Sequence, residues 1–549
     1  AQARPNLHPA PRVGKGGARR CLYRGTMDFD ETANDAPAFV KTVSAHLAKD
    51  EADAAMKVAT EAFASSVSKK DLKAKCFALH VIAKIQISVG EFSDAKDVID
   101  KALTEVEKAS DDKLKAALNN TAAKVYKVLG KYQSALQMCQ TAVQLFQKSS
   151  SKVGEAAALN CLANVHMSNG RRQDALKYAK QAVAMFKECS EKLGEADALL
   201  TVVKTNTSMR KFEDALRAAN EILGIYEGSD DIEKEAEALL IVADARVVGG
   251  EPEEGCEKAQ KAVTLLENKR MFAKQAGATH KLGELCLAAS NPVDGWAYMK
   301  EALEIYRNVG HKRGEATLLC KMATANASSG KFEDATMIAE EGIALCRDEG
   351  FKSQLATILQ GMSAAYQQME ASGFAQEQGL NWKARVAGKE SLAIFQEMGD
   401  LAGQQKALNA LAGAFLGYGN VSEARAKAKE AAEICQEIGD KSGEGANMLL
   451  VAQTKIHENK EEAMRLASIG HKLIKEGGDA ELMKDADQVL DFIKDIASEK
   501  KQKKEKESKG PKVSDVQSEK TDIMMTLGGV QFGAYWWGFT ARTARMRRQ

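Results

Sequence analysis

Proline is scarce in this chain, 7 of 549 residues, and only Pro252 and Pro292 fall within its well-formed repeats. So few helix-breaking positions, with abundant Ala, Lys, Glu and Leu, suit a protein that is helical throughout. No strand-like alternation or hairpin signal competes. The ten cysteines include no Cys-x-x-Cys; Cys161, Cys286 and Cys320 fall on repeat helices as small apolar fillers, and a reducing cytoplasm is the simplest setting. The eight histidines form no His-Glu-x-x-His, and Gly528-Gly529 precedes no Gly-Lys-Ser or Gly-Lys-Thr, so the common metal-hydrolase and phosphate-loop signatures are missing. No secretory signal is visible. The chain therefore reads as non-enzymatic, with no cofactor and no metal.

What the chain does have is a self-repeat of 40 residues. Gly154-Glu155-Ala156 returns as Gly194-Glu195-Ala196 and again as Gly314-Glu315-Ala316. Glycine also marks a turn on the same grid, at Gly90, Gly130, Gly170, Gly250 and Gly330, with Arg210 and Ser290 at the remaining positions. The grid slips by nine residues near 370–378 and resumes at Gly379 and Gly419. Five residues after each marker stands a small residue such as Ala135 or Ala175, seven further on Ala142 or Ala182, and four beyond that Phe146 or Phe186. Steps of seven and four keep these side chains on one helical face, where small residues admit a second helix.

The half before each marker carries its own stripe, Leu159, Leu162, Ala163 and His166 in the clearest copy. Each unit thus predicts two antiparallel helices joined by a short glycine turn, with a loop of about six residues to the next unit. Pro252 and Pro292 lie two residues after the marker, where a first-turn proline lacks no needed donor. A fixed period of this kind means one unit stacked many times, each burying its apolar face only against its neighbours.

At Ala163, Ala175 and Ala182 the residues resemble the tetratricopeptide repeat family, whose small positions they match. The match covers roughly residues 34–477, about eleven units. The family's closing proline and early tryptophan are missing, and the period is 40 where about 34 is usual. The longer spacing is similar to that of mitotic-spindle adaptors that bind G-protein regulators, and to kinesin light chains. The resemblance implies an all-α, right-handed superhelix of about eleven helix pairs, serving as a protein-interaction scaffold or adaptor. It also implies that the first helices of successive units line a concave groove.

Charge refines that expectation. The net +1 hides six basic residues and no acids in residues 1–26 and four arginines and no acids in 523–549, which leaves −9 between them. A mildly acidic solenoid argues against nucleic acid, which needs a basic stripe. Two groove columns carry the candidate site: Lys84, Lys124, Asn164, Lys204, Asp244 and Glu284 in one, Asn120 and Asn160 in the other. They make the first half of the groove basic and amide-rich and its middle acidic, which suits an acidic peptide segment of a protein partner. The plainer alternative is a solvated helix face. The family's clamp for chaperone tails needs a Lys followed four residues later by an Asn, then a Lys followed four later by an Arg, and no such series occurs.

The ends differ from the repeats. Residues 1–26 read as a basic leader without fixed structure, and Met27, opening the acidic stretch Asp28-Phe29-Asp30-Glu31, as the biological start; an organelle transit peptide is the rival reading. The solenoid is expected over 27–477, a capping helix with Leu482, Ala486, Val489, Ile493 and Ile496 over 478–499, and a Lys-rich linker over 500–522. Residues 523–541 hold no charge and precede Arg542, Arg545, Arg547 and Arg548. Trp536 and Trp537, with Arg542 and Arg545, could dock into a partner. The alternatives are a membrane-tethered scaffold anchored by 523–541, or a tail without fixed structure.

Overall fold

The computed structural model describes residues 38–494, apart from 49–51, 109–110, 372–378, 457 and 478–481. Among the described residues all regular structure is helical. The first antiparallel pairs are α1 (Ala38–Ala48) with α2 (Ala52–Ser68), α3 (Leu72–Val89) with α4 (Phe92–Val106), and α5 (Asp112–Val128) with α6 (Tyr132–Lys148). Next come α7 (Lys152–Ser168) with α8 (Arg172–Glu188), α9 (Lys192–Ser208) with α10 (Phe212–Tyr226), and α11 (Ile232–Gly249) with α12 (Pro252–Asn268). They are followed by α13 (Phe272–Ala288) with α14 (Pro292–Asn308), and α15 (Lys312–Ser328) with α16 (Phe332–Asp348). The last pairs are α17 (Lys352–Ala371) with α18 (Leu380–Met398), α19 (Leu401–Gly417) with α20 (Val421–Ile438), and α21 (Lys441–Lys455) with α22 (Lys460–Gly477). A further helix, α23, covers 482–494. Each helix packs on its predecessor and its successor, so the chain is an all-α solenoid.

The helices end where the sequence supplies a left-handed residue, and these residues recur every 20 positions. Gly130 (φ 72) closes α5 and Ser150 (φ 55) closes α6 in the same way. In the first case Lys131 N donates to Tyr126 O at 2.8 Å, and in the second Ser151 N donates to Phe146 O at 3.0 Å. The connection between units is therefore three residues, 149–151, and not the longer loop that the sequence suggests. The difference arises because serine, lysine and arginine take the left-handed turn at Lys70, Ser150, Ser190 and Arg270; each accepts a strain of about 1–2 kcal/mol that glycine avoids. Helix starts are capped where an aspartate or asparagine stands at the N-cap: Asp71 accepts from Ala74 N and Asp111 from Leu114 N, both at 3.0 Å.

The Gly-Glu-Ala triplet has a packing origin. Phe146 lies over Gly154, Phe186 over Gly194, Tyr306 over Gly314 and Phe395 over Gly403, so closely that any Cβ there would overlap the ring. The glycine is the seat for an aromatic side chain eight residues earlier, and this contact ties the second helix of one unit to the first helix of the next. The small columns are as tight: Ala163, Ala175 and Ala182 are all fully buried.

The nine-residue slip lies between α17 and α18, which extend to 20 and 19 residues where most helices have 17. At the C-terminal end Leu482, Ala486, Val489 and Ile493 are buried in one cluster with Leu449 and Ile474. Ile496, the leader 1–26, Met27, the linker 500–522 and the tail with Trp536, Trp537, Arg542 and Arg545 lie outside the described residues. Among the described residues no helix is long and apolar enough to cross a membrane.

Candidate functional site

The first helices of successive units touch one another, α3 with α5, α5 with α7, α7 with α9 and onward, while the second helices pack on the first helices of their own and the next unit. The first helices therefore line the inner face, and both candidate columns lie on them.

Hydrogen bonds run across that face from one unit to the next. His80 Nε2 pairs with Thr121 Oγ1 at 2.7 Å. Thr201 Oγ1 donates to Asn160 Oδ1 at 2.8 Å and accepts from Asn164 Nδ2 at 3.1 Å. Lys281 Nζ lies 2.9 Å from Asp244 Oδ1, and Lys321 pairs with Glu284. Asn160, Asn164, Asp244 and Glu284 thus all join neighbouring units, and the acidic middle of the groove is charge-compensated by Lys281 and Lys321. The sequence shows these partners only when the column after Asn160 is read too, since the bonds run diagonally, 37 or 41 positions along the chain. Asn120 is buried, and its side-chain oxygen has no hydrogen-bond partner among the described residues.

The lysines behave differently. Lys84 lies half-buried beside His80, and burial, aided by the Lys84 charge, holds the His80 pKa well below its usual range. Lys124 is half-buried, and burial lowers its pKa, with Asp197 opposing and Lys127 adding to the effect. Lys204 offers its side chain to solvent, yet protein surrounds it closely enough that burial, then Lys127, lowers its pKa too, again against Asp197. A group both accessible and hemmed in is what a concave wall produces. Lys124 in α5 and Lys204 in α9 thus both feel the Lys127 charge and the Asp197 carboxylate, which places a cationic neighbourhood across the two helices. Lys127, one helical turn after Lys124, lies outside the two columns that mark the site in the sequence.

Among the described residues no group of His, Cys, Asp and Glu could hold a metal ion. The site is a surface of amides, hydroxyls and lysines suited to recognition.

Residues 154–228, which span the second half of this basic stretch, match the tetratricopeptide repeat family. Residues 154–228 are tetratricopeptide repeats. No curated protein matches it. Solved tetratricopeptide-type structures resemble it at low identity. A signal-transduction ATPase with a tetratricopeptide repeat sensor from Pyrococcus horikoshii is 12% identical, covering 80% of this chain and 74% of its own, with a TM-score of 0.42. A Rap protein complexed with competence and sporulation factor is 14% identical over 73% of this chain and 96% of its own, with a TM-score of 0.39. BtubC from P. vanneervenii is 15% identical over 43% of this chain and 93% of its own, with a TM-score of 0.34. The repeats make this chain a protein-interaction scaffold.

The buried histidines of the inner face give the repeats a pH dependence. Burial pushes the His280 pKa down to about 4, with Lys321 and Lys281 acting in the same direction and Glu284 against it. The unfolded chain takes up a proton at His280 from about pH 6.5 downward, whereas the folded chain resists until about pH 4. Stability is therefore expected to fall as pH drops through that window, with His80 contributing in the same sense. Urea midpoints at pH 7 and pH 5 test this: the midpoint falls, and His280→Gln reduces the fall. A midpoint that stays flat would contradict it.

Proposed function

We propose that the tetratricopeptide array is a cytoplasmic adaptor that captures an acidic peptide segment of a partner protein along the first half of its concave face. The observation that carries this reading is the neighbourhood of Lys124 and Lys204, whose proton affinities are lowered by burial and by the Lys127 charge beside them. A carboxylate-rich segment relieves that repulsion, and a partly desolvated wall makes each contact stronger than a surface ion pair. The acidic stretch at Asp244 and Glu284, already paired with lysines, marks where the preference for carboxylates ends.

Charge reversal at Lys84, Lys124 and Lys204 tests the proposal. Contacts with charged groups are worth about 1.5–3 kcal/mol each, so binding of a fluorescent glutamate-rich peptide is expected to weaken by at least about 100-fold. Reversal at Lys180, exposed on the outward helix α8, leaves binding unchanged. Equal affinity for all three proteins would sink the proposal.

A further inference from the structure

Two rows of turns far apart in sequence meet in space. One row holds the turns within early units, around Gly90, Gly130 and Asn169; the other holds the connections between late units, around Gly350, Gly399 and Gly439. Gly90, Glu91, Ser93 and Asp94 share a cavity of 240 Å³ with Arg313, Lys352 and Glu397. Gly399 lies against Leu129 and Ser93, Gly130 against Leu401 and Ile438, and Gly439 against Asn169 and Tyr132. The order along the contact is thus 350, 90, 399, 130, 439, 169, in which members of the two rows alternate like teeth. The shared repeat spacing keeps them in register.

Three glycines of this seam are special in one respect. A Cβ at Gly130 would overlap Ile438, one at Gly399 would lie 3.2 Å from Leu129, and one at Gly439 would lie 2.7 Å from Asn169 Oδ1. At Gly170, Gly310, Gly330 and Gly419, which have the same positive φ, a Cβ would meet nothing within 4 Å. Gly130, Gly399 and Gly439 are thus shaped by close approach as well as by backbone conformation, whereas at Gly90 and Gly350, which border the cavity, a Cβ would meet nothing within 4 Å. The contact uses turns and connections, whereas the extensive helix packing is all between near neighbours in the array. Glu91 and Asp94 share the cavity with Arg313, Lys352 and Glu397, and Lys352 pairs with Glu397 of its own row.

We propose that this seam is a reversible clasp that closes the concave groove into a ring, so that the segment the ring takes from a partner is a chain end. The second half of this statement rests on the groove reading above. A ring admits a chain that can thread, while an internal loop enters only after the clasp opens. The contact is made by turns and connections, with no extensive helix packing across it, which makes opening accessible.

The test uses the full chain. The Ser93 Cβ lies 3.8 Å from the Cβ position at Gly399, the separation a disulfide needs, so Ser93→Cys with Gly399→Cys should cross-link within one molecule under diamide, read as a linked peptide by mass spectrometry. Adding Gly130→Asn tolerates the left-handed turn but intrudes on Ile438, and it is expected to cut the cross-link yield about tenfold and raise the radius of gyration in X-ray scattering. Gly330→Asn, the same change where a Cβ meets nothing, should do neither. Equal cross-linking and equal scattering for the two asparagine variants would overturn the clasp. In the cross-linked protein a glutamate-rich peptide fused to a fluorescent protein at one end should still bind, and the same peptide capped by folded domains at both ends should bind at least about tenfold more slowly. Equal rates would overturn the threading claim. If neither peptide binds, the groove reading fails, while the cross-link and scattering still decide the clasp.

Discussion

Phe186→Ala is expected to destabilise the array by about 3–5 kcal/mol and to separate the units on either side of it. The ring is 4% exposed and rests on Gly194, at the start of the following unit. It shares a cluster with Ala182, Ala196 and Leu199, so truncation leaves a cavity at the junction of α8 and α9. Because a repeat array can lose cooperativity, a single unfolding curve is a poor readout on its own. Hydrogen exchange resolved by segment is the better one, and α8 and α9 should lose protection before α3 or α19. Gly194→Leu removes the seat instead of the ring and should destabilise as well. The double variant fills part of the cavity with the leucine, so its loss should be smaller than the sum of the single losses. Strict additivity, or a loss under about 1 kcal/mol for Phe186→Ala, would show that the ring does not couple the units.

Gly470→Val should disrupt the C-terminal end of the solenoid while sparing the rest. A Cβ at Gly470 would lie 2.6 Å from the carbonyl oxygen of Gly445, and one at Gly445 would lie 2.5 Å from that of Gly470. The backbones of α21 and α22 are therefore in contact, and a valine must force them apart. Overpacking alone costs about 1–3 kcal/mol, and against backbone, which cannot rotate away, the upper end or more is expected. The consequence is loss of α21, α22 and α23 with exposure of Leu449, Val489 and Ile493, now all buried. Circular dichroism should drop by a fraction, not collapse, and limited proteolysis should stop near α20. Gly224→Ala is the opposite case: nothing lies within 4 Å of its Cβ, and in the interior of α10 alanine should stabilise by about 0.5–1 kcal/mol. A folded Gly470→Val protein with a protected α22 would refute the argument.

These two glycines show what the sequence discloses and what it withholds. The period, the helix pairing and the small columns are legible because 3.6-residue geometry repeats with them, and Ala163, Ala175 and Ala182 are buried accordingly. Gly194 reads from sequence as a helix start, which it is, but its reason is the ring of Phe186 arriving from another helix. The constant offset of eight between Phe146 and Gly154, Phe186 and Gly194, and Tyr306 and Gly314 was present in the sequence as a clue. The three-residue connections were hidden because Ser150, Ser190 and Arg270 take a backbone conformation that their identity does not advertise. Groove positions on the first helices are legible, but their hydrogen bonds cross columns, so Asn160 and Asn164 hold Thr201 in a way no single column displays. The seam is the least legible feature. It depends on small rotations per unit adding up around a turn, and no local pattern encodes that sum.

The seam also gives the molecule a history during synthesis. The extensive helix packing all joins close neighbours along the array, so each unit can pack soon after it leaves the ribosome. Gly130, however, waits for Ile438. At about 5–20 residues per second that wait is about 15–60 s, during which the basic stretch at Lys124 and Lys204 is folded while the ring is still open. A partner made at the same time and place can be enclosed without threading, whereas one met later must present an end or wait for the clasp to open. The age of the protein molecule, as well as its surface, then decides what it can hold.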